Sequence, residues 1–174
     1  MRATKKLTLS AMTVALGTVL MVLGGFVEVL DLTVLAVVSL LSVFVYIELH
    51  SPYTWLVWLA TSLCTFLIFP GKSLWLLFLL IFGIFPILKG YIERLKRPIW
   101  IVLKLVYINI ILAALSFAYE LIFSVPLVVL ENKILIVGAY AVMNVAFLVY
   151  DKFLSVMVIL YFEKFRNRIK HLLK

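Results

Sequence analysis

The chain is poor in almost everything a soluble enzyme uses. Charged residues make up 14% of its 174 residues, against roughly 25% in an average globular protein. Hydrophobic residues reach 66%, so too few polar groups remain to coat a water-facing surface. A soluble domain is excluded, and the apolar excess must face lipid.

The chemical inventory is equally thin. A single cysteine, Cys64, lies inside an apolar run, which rules out an intramolecular disulfide and suits a buried structural thiol. The two histidines are His50 and His171, and no His-Glu-x-x-His pair occurs. Gly-x-Ser-x-Gly is missing, as is any phosphate-cradling Gly-x-x-x-x-Gly-Lys loop. Glu48 and His50 are two residues apart and point to different faces of a helix. We therefore expect no enzymatic activity, no catalytic residues, no cofactor and no metal site.

What the sequence does have is long greasy runs. A helix needs about 20 mainly apolar residues to cross the hydrocarbon core. Six runs are cut out by short polar breaks, at 7–27, 32–49, 53–69, 73–92, 99–123 and 134–160. Pro70-Gly71-Lys72 is a strong turn signal, and Pro98 suits a helix start. The first run follows MRATKK like a signal peptide. It exceeds the roughly 7–15 apolar residues of such a leader and lacks a small-x-small cleavage site, so we expect a retained first span. Continuous apolar runs argue against barrel strands, which alternate with period two. The expected fold class is all-α: a polytopic six-transmembrane-helix bundle forming one transmembrane domain over 1–174. Near the end of the sixth run, Asp151-Lys152 fits two readings, a self-neutralising pair at the membrane surface or an Asp151 drawn inside a shifted span.

The net charge of +8 would suit nucleic acid if it formed an exposed stripe, but the basic residues cluster at the ends of apolar runs. No nucleic-acid partner is expected. An even number of spans puts both termini on one side. That side carries Arg2, Lys5, Lys6, Lys89, Arg94, Lys96, Arg97, Lys164, Arg166, Arg168, Lys170 and Lys174; the other carries Lys72 and Lys133. Basic residues mark the cytoplasmic side, so the chain reads as a multi-pass protein of the inner or plasma membrane, N-in and C-in. The tail, 161–174, interleaves Phe165, Ile169, Leu172 and Leu173 with basic residues, a pattern for lying on anionic membrane lipid. Trp55, Trp58, Trp75 and Trp100 fall near span ends, as an interfacial belt requires.

Polar groups inside the spans are the candidates for recognition. Asn109 and Asn144 both fall near mid-membrane, where amides are costly unless paired. They read either as substrate contacts in a central cavity or as an interhelical hydrogen bond. Glu120, beside Tyr119, reads as lining an outer pocket or as touching water. Lys104 reads as a lysine snorkelling to the headgroups. In the first span Ala11, Ala15, Thr18, Val22 and Gly25 recur at spacings of four, three, four and three. The Ala11-Met-Thr-Val-Ala15 step lets another helix approach closely, either within the bundle or from a separate membrane subunit.

These features resemble the substrate-binding S components of energy-coupling factor transporters. The likeness rests on the six-span layout and on Lys5-Lys6 followed by Ala11-Met-Thr-Val-Ala15. The segments 85–94, 107–109 and 144–151 are similar to S-component-like proteins of Gram-positive bacteria. The resemblance implies a transport subunit that binds a small substrate in the bundle and relies on a transmembrane coupling subunit and ATPase subunits for movement. It also implies that Ala11 and Ala15 form the docking face. Asn109, Asn144, Glu120 and Tyr119 are the candidate substrate contacts. The N-terminal His of nickel- or cobalt-binding members is missing. A second reading is a non-transport scaffold of the cell envelope that binds partners through helix faces and its tail.

Overall fold

The computed structural model describes residues 3–49, 51–123 and 133–165. Every regular element among them is helical. In chain order the main helices are α1 Ala3–Gly24, α2 Asp31–Leu49, α3 Ser51–Ile68, α4 Leu74–Leu77, α5 Ile84–Ile92, α6 Arg97–Phe123 and α7 Lys133–Leu160. A π-helical turn, Phe78–Phe82, joins α4 to α5 and makes one span of 74–92. Five helical stretches are long and apolar enough to cross a membrane, and the helix Pro52–Ile68 is apolar but shorter. This is the make-up of a multi-pass membrane protein. The first span ends at Gly24 rather than near 27, and the expected break becomes a short 3-10 turn, Glu28–Leu30.

The chain divides into two compact units, one of residues 1–89 and 154–174, the other of residues 90–153. In the first unit, α1, α2 and α3 pack on one another. Met21 on α1 meets Leu35 and Val38 on α2, with Leu74 and Phe78 from α4 and the π turn. A second cluster joins Val45, Leu49 and Val57, flanked by Leu9 and Val14. As the α1 numbers fall the α2 numbers rise, so α1 and α2 run antiparallel. Gly17 faces Thr61, and the Thr65 hydroxyl donates to the Met21 sulfur at 3.7 Å. Both pairs are offset by the same interval, so α1 and α3 run parallel.

Small residues set the spacing of these helices. A methyl group at Gly17 would stand 3.2 Å from Val38 and 3.3 Å from Thr61, and one at Gly24 would collide with Val34 at 2.6 Å. The interior of this unit is unusually rich in hydroxyls: Ser10, Thr13, Thr18, Ser39, Ser42, Thr54, Thr61, Ser62 and Thr65 are all buried. Ser10, Thr13, Ser62 and Thr65 donate to carbonyls four residues earlier on their own helices. A hydroxyl bonded that way is satisfied without a partner helix and stays slim enough for close packing.

The π turn has an identifiable cause. The Gly83 amide donates to the Phe78 carbonyl at 2.7 Å, skipping the Leu79 carbonyl it would take in an α-helix. The freed Leu79 oxygen accepts the Trp58 indole N–H at 3.0 Å. A side chain at Gly83 would strike the Trp58 ring, so only glycine admits the indole here. Trp58 is thus a packing residue seven positions into α3, and the belt reading does not describe it. The C-terminal turns of α7 and the π-helical turn Tyr161–Phe165 after it join this unit too: Lys89 donates to the Ser155 hydroxyl at 2.8 Å, and Tyr161 donates to Glu48 at 2.8 Å.

Candidate functional site

The second unit places the polar groups of α6 and α7 in one ladder. Three pairings define its register: Lys104 with Asp151, Tyr107 with Phe147, and Asn109 with Asn144. In each the residue numbers sum to nearly the same value, so the two helices run antiparallel.

The charged rung is buried. Lys104 is 1% exposed and Asp151 9%. The Lys104 ammonium donates to both Asp151 oxygens, at 2.9 and 2.8 Å, and to Glu93 at 2.7 Å. It also lies 4.2 Å from the centroid of the Trp100 ring. Two carboxylates and the face of an indole together compensate a desolvated cation. Glu93 stands in the connection between α5 and α6, so Lys104 reaches back along its helix toward that turn; buried among these partners, its ammonium is held in an ion pair and does not snorkel to the headgroups. The self-neutralising Asp151-Lys152 pair does not form. Asp151 turns to Lys104, and Lys152 is exposed. On a helix, neighbours in sequence diverge by about 100°, whereas α6 presents Lys104 directly to Asp151.

The amide rung lies higher up the helices. The Asn109 amide N–H donates to the Asn144 side-chain oxygen at 3.1 Å, and the Asn144 amide returns the bond at 3.2 Å. Each amide spends its second N–H on its own helix, Asn109 on the Leu105 carbonyl and Asn144 on the Tyr140 carbonyl, both at 2.8 Å. Those two carbonyls fix the orientation of both amides, because a flip would set oxygen against oxygen.

Comparison with family models, curated proteins and solved structures finds no match. The site must therefore be read from its own chemistry.

Of the four candidate substrate contacts, the structure joins Asn109 and Asn144. Glu120 is exposed and lies eleven residues beyond Asn109, roughly 16 Å along the helix axis. The side chain of Tyr119 lies outside the described residues, as do His50, His171, Glu131 and most of the basic tail. On α1 the small-residue stripe divides. Ala11 and Ala15 are exposed, whereas Thr18 and Gly25 are buried. The face that α1 packs on its own unit is instead Ser10, Thr13, Gly17, Thr18, Met21 and Gly24. Among the described residues no cluster of three His, Cys, Asp or Glu could hold a metal ion.

Proposed function

We propose that the chain is a membrane-transport subunit, similar to an energy-coupling factor S component, with six spans and both termini in the cytoplasm. It would bind a small, largely apolar substrate and depend on a transmembrane coupling subunit and partner ATPases. The observation that carries this reading is the division of α1. One face is committed to α2 and α3 through Gly17 and Gly24, while Ala11 and Ala15 stand on an exposed face, open to a second helix. In lipid such small-residue steps associate by dispersion, because the hydrophobic effect gives no net drive between helices there.

The test is co-purification of a coupling subunit with Ala11→Trp and Ala15→Trp. Both positions are exposed, so both variants should fold with an unchanged melting temperature and lose the subunit. Retention in both would reject the docking face. The scaffold reading has one observation in its favour: the two asparagines already satisfy each other. It is supported if deletion of 161–174 alone releases a membrane partner and no small molecule raises the melting temperature.

A further inference from the structure

We propose that the Asn109–Asn144 rung recognises a neutral, lipid-soluble molecule through a hydroxyl or amide N–H donor on that molecule. The inference rests on the reading of the chain as a substrate-binding membrane subunit, and it specifies the substrate class.

The hydrogen-bond inventory of the rung decides what it can bind. Two side-chain amides own four N–H groups, and all four are spent, two between the asparagines and two on the carbonyls of Leu105 and Tyr140. Each side-chain oxygen accepts one of these bonds and keeps a second lone pair. The carbonyls prevent a flip that would turn an N–H outward. The rung can therefore accept a hydrogen bond from a ligand and cannot donate one. A molecule offering only acceptors, such as an ether or an ester, finds nothing to bind.

Position supplies the rest. Asn109 is exposed and Asn144 half-buried, whereas the charged rung below them is buried. The neighbours one turn away on the open side are apolar: Val106 and Leu148 toward the charged rung, and Ala113 and Ala141 beyond the amides. All four are exposed, and the two alanines are the smallest side chains on that face. The closest charges along α6 and α7 are Lys104 and Asp151, which neutralise each other. Nothing at this level attracts an ion. An apolar body with a donor for one or both amide oxygens fits the surface, and in a low-dielectric setting each such hydrogen bond counts for more than in water.

The experiment uses the full chain in an amine-oxide detergent, which carries no hydrogen-bond donor of its own. The probes are 1-dodecanol and its methyl ether, which differ by the O–H. We expect the alcohol to raise the melting temperature at concentrations about fivefold or more below those needed for the ether, the weight of one hydrogen bond. The double variant Asn109→Leu/Asn144→Leu removes both partners together and leaves no orphaned amide; it should respond to both probes alike. Ala113→Phe keeps the amides and sets a bulky ring one turn from Asn109 on the same exposed face, and should also abolish the preference for the alcohol. Equal response of the wild-type chain to alcohol and ether would overturn the proposal. So would an alcohol preference that survives in the double variant. The co-purification test on Ala11 and Ala15 is independent, so the ligand class and the coupling reading can fail separately.

Discussion

Removing Asp151 tests the charged rung most directly. Lys104 is 1% exposed, and two of the three short bonds from its ammonium end on Asp151. Breaking a buried pair by deleting one partner costs about 3–5 kcal/mol, because the survivor is left desolvated. Glu93 remains at 2.7 Å, but its side chain is 39% exposed, so water weakens its pull. That retained partner puts the expected loss for Asp151→Leu near the lower bound, about 3 kcal/mol. Lys104→Met/Asp151→Leu exchanges both charges for apolar groups of similar volume. It should return to within about 1 kcal/mol of the wild type, since nothing buried is then unpaired. Lys152→Leu, at an exposed position, should change stability by less than about 0.5 kcal/mol. The assay is equilibrium unfolding in mixed micelles on titration with dodecyl sulfate, followed by tryptophan fluorescence. Trp100, 4.2 Å from the ammonium, reports on the rung itself. A double variant as unstable as Asp151→Leu would refute the reasoning, and so would a Lys152→Leu loss equal to that of Asp151→Leu.

The π turn yields two further predictions, both read by the same titration. Trp58→Phe leaves the Leu79 carbonyl without its indole donor and should cost about 1–3 kcal/mol; unchanged stability would show that the carbonyl does not depend on Trp58. Gly83→Ala drives a methyl into the Trp58 ring and to 2.9 Å from the Phe78 carbonyl oxygen, and should cost about 1–3 kcal/mol. Gly71→Ala, with nothing within 4 Å of the added carbon, is the control, and an equal loss at both glycines would sink the steric account.

The spans were legible because length and hydropathy suffice to find them. Which face of a span turns inward was not legible by the same means. Lipid tails and neighbouring helices are both apolar, so hydropathy shows no period that separates them. On α1 the exposed positions include Leu7, Met12, Leu16, Val19 and Leu23, while Ser10, Thr13, Gly17 and Thr18 are inside. The inward face is the smaller and more polar one. A stripe chosen for slimness alone, Ala11 through Gly25, therefore mixed exposed alanines with buried Thr18 and Gly25, and it passed over Gly17, where an added methyl would press on both α2 and α3. Hydroxyls carried the missing signal. Trp58 was misplaced for a related reason: an indole near a span end suits the interface, and only the freed carbonyl of Leu79 on another helix draws it inward.

Only the depth of the charged rung was within reach of the sequence, and proximity along the chain pointed elsewhere. Lys152 stands beside Asp151 and Lys104 is 47 positions away, so local reading favours the neighbour. Depth gives the other answer. Asn109 and Asn144 share a level in the membrane, and two amides at that depth need each other. Setting them opposite in antiparallel helices fixes the register of both. Counting five residues back from Asn109 reaches Lys104, and counting five on from Asn144 reaches Val149, half a turn from Asp151. One amide pair therefore sets Lys104 and Asp151 at a similar depth, and a two-residue drift in register between the rungs turns them to face each other. In a medium without water, each polar group constrains its neighbours more tightly than in a soluble core, since an unpaired one has nowhere to turn. Register between transmembrane helices can then be sought first in their rare polar residues and only afterwards in their abundant apolar ones.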